Sequence, residues 1–152
     1  MDPMRLALEE ARKALEEGEI PVGAVLTRGG EILWADHNRR EQSGDPTAHA
    51  EILCLRHGAE ASGNWRLNDC TLYVTLEPCP MCAGAMVMSR LGKCCYGAVD
   101  PDRGCCGSIY DLPADPALGS VTEWESGIMK EECKALLNNF FQSKRQLSRK
   151  NT

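Results

Sequence analysis

Hydrophobic and polar positions in the first quarter of the chain follow a helical period and then an extended one. Apolar residues recur at helical spacing over residues 4–17, which predicts an amphipathic helix that ends at Gly18. Two segments rich in β-branched and aliphatic residues follow at 20–27 and 31–35, with Arg28-Gly29-Gly30 between them. This pattern predicts two antiparallel strands joined by a tight hairpin.

Beyond the hairpin, helical and extended patterns alternate. A polar loop is predicted at 39–44, and a second helix, capped by Asp45 or Thr47 with Pro46 in its first turn, extends to about Gly63. The remaining predicted elements are a strand at 71–76, a third helix to about Arg90, a strand at 93–98, a turn-rich stretch at 99–120, a short strand at 121–125 and a long helix from about 129 to 146. This order predicts one α/β domain over residues 1–152, with helices on both faces of a sheet and a frayed end from about residue 147.

Two short motifs carry side chains that bind transition metals. The sequence is His-Ala-Glu at 49–51 and Pro-Cys-Pro-Met-Cys at 78–82. Zinc takes imidazole and thiolate ligands in tetrahedral geometry. As ligands, His49, Cys79 and Cys82 would leave a fourth position open for water, which is typical of a catalytic zinc site.

The spacing of these residues predicts that two helix ends meet at one metal. Residues two apart point to nearly opposite sides of a helix, so His49 and Glu51 can share a site only at the end of one. Cys79 and Cys82 follow Pro78 and open a helical run of small residues, and a helix N-terminus lowers the pKa of a thiol. Glu51 is not needed as a fourth ligand and is therefore a candidate to transfer protons. Both helices are expected to begin at one edge of the sheet, where open α/β sheets bind ligands.

Each motif alone has other interpretations. His-x-Glu is common on helix surfaces and caps, and Cys-x-x-Cys also occurs in redox pairs and in structural zinc sites. A closed structural site would need a second Cys or His pair, but His37 and His57 lack the usual spacing to His49. The two motifs in this order, His-x-Glu and then Pro-Cys-x-x-Cys, are the signature of zinc-dependent nucleobase deaminases.

Composition limits the classes of protein that remain. A chain of 152 residues is long enough for one core and short for two domains. No apolar run is long enough to span a bilayer, and the start of the chain is unlike a signal peptide, so we expect a cytoplasmic protein with no membrane partner. Nine cysteines, an odd number, favour reduced thiols and metal ligands over a disulfide framework.

The net charge of −5 argues against general affinity for nucleic acid, because phosphate contacts dominate such binding. A nucleic acid would therefore have to bind at a local basic patch. Arg39 and Arg40, just before the His motif, are one candidate. The basic residues of the C-terminal segment are Lys144, Arg145, Arg149 and Lys150. The alternative for this segment is a solvated helix end whose charges complement the helix dipole.

The stretches that carry a family resemblance extend well beyond the two motifs. They are residues 20–25, 45–51, 71–79, 81–85, 89–90, 96–98, 100, 107–108 and 140–141. On these residues the chain resembles the bacterial tRNA-specific adenosine deaminases, which belong to the cytidine-deaminase-like superfamily. Those enzymes convert the wobble adenosine of an arginine tRNA anticodon to inosine. The resemblance covers about residues 4–146, which is nearly the whole chain.

The resemblance has specific implications for fold and site. It implies a three-layer α/β/α fold with a five-stranded mixed sheet, a homodimer and one Zn²⁺ per subunit. It also implies that His49, Cys79 and Cys82 bind the zinc, that Glu51 is the catalytic proton shuttle, and that a tRNA anticodon loop is the partner. The implied substrate contacts are Asn38, Ala50, Asp100, Phe140 and Phe141.

Two other functions remain open on the sequence. A deaminase of a small free base or nucleoside, such as guanine or cytosine, would share the zinc site and need no basic surface. A non-catalytic, zinc-stabilised subunit would have no use for Glu51 beside its metal. Cys94, Cys95, Cys105 and Cys106 depart from the family, and we expect them to pack as small hydrophobic residues unless they form a second metal or redox site.

Overall fold

The structure, a computed structural model, describes residues 2–150. Its strands are β1 (Gly23–Arg28), β2 (Glu31–His37), β3 (Cys70–Leu76), β4 (Lys93–Ala98) and β5 (Glu123–Glu125). Its helices are α1 (Pro3–Glu16), α2 (Arg40–Ser43), α3 (Ala50–Ser62), α4 (Pro80–Met88) and α5 (Lys130–Lys150). Two short 3-10 turns, Leu112–Ala114 and Pro116–Leu118, lie between β4 and β5.

The strands form one mixed sheet in the order β2-β1-β3-β4-β5. Strand β1 is antiparallel to both β2 and β3, whereas β3, β4 and β5 are parallel. The predicted hairpin and the predicted five-stranded mixed sheet are therefore confirmed. Parallel strands need a crossover connection, and α4 provides it between β3 and β4.

Helices cover both faces of the sheet, which confirms the predicted three layers. One core lies between the sheet and the pair α3 and α4, and it includes Leu26, Leu72 and Met86. The second core lies between the sheet and the pair α1 and α5, and it includes Val25. Adjacent residues Val25 and Leu26 enter opposite cores because side chains alternate along a strand.

Two glycines allow α1 and α5 to approach the sheet closely. A Cβ atom at Gly23 would overlap the backbone of Ala7 and Ala11 in α1. A Cβ atom at Gly97, near the carboxyl end of β4, would overlap the side chain of Cys133 in α5. The second contact brings α5 to the edge of the sheet at which α4 begins.

The predicted start of the second long helix is wrong. Helix α3 begins at Ala50, with His49 rather than Asp45 or Thr47 as its N-cap residue. Asp45 closes a turn instead, because its Oδ1 accepts hydrogen bonds from the amide and the hydroxyl of Thr47, at 2.8 and 2.7 Å. Pro46 lies in this turn and not in the helix.

The segment predicted as a polar loop at 39–44 contains the one-turn helix α2. The buried carboxylate of Glu19 accepts hydrogen bonds from the amides of Glu41 and Gln42, at 3.0 and 2.8 Å. These amides are at the start of α2 and have no partner within so short a helix. A residue distant in the sequence therefore stabilises this turn.

Strand and helix ends differ from the predicted ones by a few residues. Strand β1 starts later than predicted, β2 continues to His37, β5 begins only at Glu123, and α4 ends at Met88. Helix α5 continues to Lys150, so residues 147–150 of the segment predicted to fray are helical, while 151 and 152 lie outside the described residues. Within residues 2–150, no helix combines the length and apolarity needed to cross a bilayer.

Candidate active site

Two helix N-termini bring one imidazole and two thiols together. His49 is the N-cap residue of α3 and Cys79 is the N-cap residue of α4, and Cys82 lies in the first turn of α4. His49 Nδ1 is 3.6 Å from Cys79 Sγ and 3.5 Å from Cys82 Sγ. The three ligand atoms all lie within 4.8 Å of one another. The two helix ends thus converge as the spacing of the motifs predicts.

The cluster has the dimensions of a zinc site. With zinc–nitrogen bonds of about 2.0 Å and zinc–sulfur bonds of about 2.3 Å, a tetrahedral centre separates nitrogen from sulfur by about 3.5 Å. The two observed separations match this value. Hydrogen bonds from Cys82 and His49 lower the pKa of Cys79 to about 4, whereas the contact with Cys79 and burial raise the pKa of Cys82. The helix dipole favours negative charge at both thiols. The donor set therefore fits Zn²⁺ with a fourth position free for water.

Glu51 lies in the first turn of α3 and is only 4% exposed. Burial raises its pKa to about 7, and the negative charge of Cys79 adds to this effect. Glu51 does not belong to the group of residues whose ligand atoms cluster. A carboxyl group with a pKa near neutrality can both accept and donate a proton at physiological pH. Its position and pKa suit a proton carrier beside a metal.

A cavity of about 1090 Å³ is lined by His49, Glu51 and Cys79. Pockets for small molecules usually measure about 300–1,000 Å³. The cavity is therefore large enough to accept more than an isolated base.

The predicted substrate contacts are not placed equally. Asn38, Ala50, Asp100 and Phe141 line the cavity, whereas Phe140 does not. Phe140 is 7% exposed, and its ring packs almost perpendicular to that of Phe141 with centroids 5.3 Å apart. Phe141 itself is 44% exposed. This arrangement places Phe140 to support Phe141 and leaves Phe141 free to contact a ligand.

A largely buried network of carboxylates around the imidazole of His37, which the sequence did not reveal, anchors the end of β2 to α1. His37 Nδ1 is 2.8 Å from Glu10 Oε1, and His37 Nε2 is 3.0 Å from Glu17 Oε2. Asp36 Oδ1 accepts a hydrogen bond from the amide of His37 at 2.8 Å. The side chains of Glu10, Asp36 and His37 could in principle hold a metal, but each already has protein partners. The network instead fixes the strand end that leads to Asn38.

Sequence reasoning also missed Glu77, which is 2% exposed and lines the cavity. Its carboxylate accepts hydrogen bonds from Asp100, Cys106 and Ser108. The sequence feature that could have identified Glu77 is its position, directly after a predicted strand and two residues before Cys79.

The cysteines that depart from the family resemblance are core residues. Cys94, Cys105 and Cys106 belong to the core beneath α3 and α4, and Cys95 is 5% exposed. Burial raises the pKa of all four thiols. Within the described part of the chain, none of them belongs to a group with metal-ligand spacing. These observations favour their role as small hydrophobic residues.

Comparison with known proteins shows which family has this site. The family model of the cytidine and deoxycytidylate deaminase zinc-binding region matches residues 2–98. The tRNA-specific adenosine deaminase of Bacillus subtilis (strain 168) is 47% identical over 151 residues, covering 97% of this chain and 94% of that relative. The chain belongs to the tRNA-specific adenosine deaminase family. A relative of the same name from Haemophilus influenzae is 47% identical over 144 residues, covering 94% of this chain and 83% of its own.

Solved structures of related proteins share the fold of this family. One, from a study of A-to-I editing by tRNA:A34 deaminases at the wobble position of transfer RNA, has a TM-score of 0.86 and 41% identity. The aligned region covers 89% of this chain and 98% of the chain in that structure. The guanine deaminase of Bacillus subtilis has a TM-score of 0.62 and 37% identity, but covers only 66% of this chain and 64% of its own. The cytidine-deaminase-like fold predicted from the sequence is confirmed.

Proposed function

We propose that the protein is a zinc-dependent hydrolase that converts adenosine to inosine at the wobble position of a tRNA anticodon. The observation that carries the proposal is the His49–Cys79–Cys82 cluster, with the buried Glu51 lining the same cavity as His49 and Cys79. Relatives named tRNA-specific adenosine deaminase match 94–97% of the chain. The site supports hydrolytic deamination, and the relatives support the substrate.

His49, Cys79 and Cys82 hold one zinc per subunit in this proposal. Bound zinc lowers the pKa of a water molecule and so provides hydroxide near neutral pH. The protein holds the two thiols at the N-terminus of α4, where the helix dipole stabilises their negative charge. It holds the imidazole at the N-cap of α3 without a side-chain capping bond, which leaves Nδ1 facing the thiols.

Glu51 moves the protons of the reaction. It accepts a proton from water, delivers it to N1 of adenine, and then helps protonate the 6-amino group, which leaves as ammonia. The water oxygen becomes O6 of inosine, so adenosine and water give inosine and ammonia. Burial, which raises the pKa of Glu51 above its ordinary value, favours its protonated form and so suits a group that takes up and then passes on a proton.

The cavity suits a base that has left its stack. Enzymes that act on a nucleobase must first extrude it from a duplex or take it from a single strand, and an anticodon loop offers unpaired bases. Arg40, Arg103 and Lys134 line the cavity and can contact phosphates, although the carboxylates of Glu51, Glu77, Asp100 and Asp102 line it as well, so the cavity as a whole is not basic. The exposed ring of Phe141 offers a surface on which a neighbouring base can stack.

Deamination of a free base is the second candidate. The similarity to the guanine deaminase of Bacillus subtilis and the net charge of −5 both favour it. That similarity extends over only 66% of the chain, whereas the similarity to the tRNA:A34 deaminase structure extends over 89%. The wider match favours the tRNA substrate.

We also propose that the protein is a homodimer. Met81, Gly84, Ala85 and Met88 are the residues of α4 after Pro80 that are not fully buried, and they recur at helical spacing. Met88 is 76% exposed, and a Cβ atom at Gly84 would meet nothing within 4 Å. Such an apolar stripe next to the metal ligands suits contact with a second copy. Sedimentation of a single species at monomer mass would contradict this proposal.

A cytoplasmic location follows from the proposed substrate, because tRNA functions there. All nine cysteines are free. Free thiols persist in a reducing compartment. Cell fractionation that recovered the protein outside the cytoplasm would contradict this location.

The substrate is tested by mass detection of the product. The zinc-loaded protein is incubated with an arginine-tRNA anticodon stem-loop that has adenosine at the wobble position, and separately with guanine, cytosine, cytidine and adenosine. We expect the mass of the stem-loop to increase as its amino group is replaced by oxygen, and we expect ammonia to be released. Turnover of guanine with an unchanged stem-loop would support the second candidate instead.

A further inference from the structure

The carboxylate of Glu77 holds the loop that forms one side of the cavity. We term residues 100–108 the wall loop. Its cavity-lining members are Asp100, Pro101, Asp102, Arg103 and Cys105. Glu77 Oε1 accepts hydrogen bonds from the amide of Asp100, at 3.0 Å, and from the hydroxyl of Ser108. Glu77 Oε2 accepts hydrogen bonds from the amides of Cys106 and Ser108, at 3.0 and 3.1 Å.

These bonds make the loop conformation depend on one side chain. A buried carboxylate is unfavourable unless its oxygens accept hydrogen bonds, and the wall loop donates three amides and a hydroxyl to Glu77. Gly104 allows the loop to close around the carboxylate, because a Cβ atom at this position would overlap the carboxylate itself. The loop and Glu77 therefore fit together only in this arrangement.

The same segment also determines where Cys79 lies. The amide of Glu77 donates to Ala98 O at 2.8 Å, and the amide of Cys105 donates to Pro78 O at 2.9 Å. The two residues before Cys79 are thus bonded to the end of β4 on one side and to the wall loop on the other. The bond to Ala98 does not involve the wall loop, so the segment before Cys79 keeps this anchor when the loop loosens, whereas the cavity wall changes.

We propose that Glu77 is a positioning residue that fixes the wall loop against the segment before Cys79 and so shapes the entrance for the target base. It acts through Asp100 and the loop backbone, since both of its oxygens already accept hydrogen bonds. The substrate in this inference rests on the proposed function, whereas the coupling of Glu77 to the wall loop does not.

The test is Glu77→Gln in the zinc-loaded protein. The amide side chain keeps one acceptor oxygen but turns an NH2 group towards amide donors, so two bonds are lost and donors face each other. We expect the KM for the stem-loop to rise about tenfold or more, because small displacements near a reacting group strongly reduce productive binding. The zinc content should stay at one per chain, and hydrogen exchange at the amides of Cys106 and Ser108 should accelerate.

The loop also contains its own chemical reporters. Cys105 and Cys106 are 1% and 0% exposed, so their thiols should be alkylated slowly in the native protein. Loosening of the wall loop in Glu77→Gln should accelerate their alkylation, measured by peptide mass mapping, relative to that of Cys133. Ser108→Ala, which removes one donor and keeps the amide bonds, should change KM and alkylation in the same direction by a smaller factor.

Thr122→Val is the matched control. Thr122 is 6% exposed and donates to Leu91 O at 2.6 Å, but it does not line the cavity. We expect this variant to lower the melting temperature with no change in KM or in alkylation of the loop cysteines.

Three results would overturn the positioning role. The first is that Glu77→Gln leaves hydrogen exchange at the Cys106 and Ser108 amides, and alkylation of Cys105 and Cys106, unchanged. The second is that its loss of activity is no larger than the fraction of unfolded protein explains. The third is that loss of zinc is the primary defect of the variant. If Glu77→Gln does not fold, Ser108→Ala provides the test. A KM and an alkylation rate of the loop cysteines equal to those of the wild type would then overturn the positioning role. A wild-type protein that leaves the stem-loop unchanged would refute the proposed function, while exchange and alkylation would still decide whether Glu77 holds the loop.

Discussion

His49 Nδ1 and Cys82 Sγ are 3.5 Å apart, although the two residues are separated by 33 positions in the chain. The separation arises because α3 and α4 begin at the same edge of the sheet and direct their first residues towards each other. A distance of this size between an imidazole nitrogen and a sulfur is the one expected for two ligands of tetrahedral zinc. The tertiary structure, rather than a local loop, therefore forms the metal site.

Removal of one thiol should remove the metal. Cys82→Ala leaves only His49 and Cys79 as ligands, so we expect it to lose zinc under conditions in which the wild type keeps one per chain. Metal analysis after dialysis measures this, and Cys95→Ala, which removes a buried thiol outside the cluster, should keep its zinc. A chelator should lower the melting temperature of the wild type, since a metal at a hundred times its Kd stabilises by about 2.7 kcal/mol. Stoichiometric zinc in Cys82→Ala would refute the ligand set.

The two neighbouring phenylalanines of α5 should respond differently to truncation. Phe140→Ala removes a buried ring and should lower the free energy of unfolding by about 3–5 kcal/mol. Phe141→Ala removes a half-exposed ring that lines the cavity, so we expect little loss of stability and a rise in KM for the stem-loop of roughly tenfold, as for a lost stacking contact. Chemical denaturation and steady-state kinetics distinguish the two. The reverse pattern would show that Phe140 is the substrate contact.

Acid should destabilise the protein partly through Asp36. Burial alone would raise the pKa of Asp36, but hydrogen bonds from Trp34 and Arg39 and from the amide of His37 outweigh it and lower the pKa below 3.8. A carboxylate with a lowered folded-state pKa contributes stability that is full above its unfolded pKa and is lost as the pH falls through the folded value. Each unit of lowering corresponds to about 1.4 kcal/mol.

Between about pH 5 and pH 2 the free energy of unfolding should therefore fall more steeply in the wild type than in Asp36→Asn. Denaturant titrations at several pH values measure the two slopes. Parallel curves would contradict the assigned pKa direction.

The fold and the group of metal-binding side chains could be predicted because local sequence signals specify them. Segments rich in β-branched, aliphatic and aromatic residues marked most strands, and the two motifs placed His49 and Cys79 at helix ends. The start of α3 could not be predicted, because Asp45 has the side chain of a capping residue but uses it to close a turn with Thr47. Helix α2 escaped prediction because Glu19, which stabilises it, is more than 20 positions away.

The remaining features of the site depend on tertiary contacts. Phe140 and Phe141 are adjacent and chemically identical, so only the packing of α5 shows which ring reaches the cavity. The partners of Glu77 are 23 to 31 positions away in the chain, and no short motif relates them. Sequence patterns identify the groups that perform chemistry more readily than the groups that hold them in place.

The most direct test of the account is single-turnover inosine formation in the stem-loop by the wild type and by Glu51→Gln, with zinc measured in both. Glu60→Gln, an exposed position on the same helix, is the matched control. We predict one zinc per chain in all three proteins, an unchanged rate in Glu60→Gln, and a rate for Glu51→Gln that is lower by on the order of a hundredfold to ten-thousandfold. A zinc-loaded Glu51→Gln that forms inosine at the wild-type rate would contradict the account.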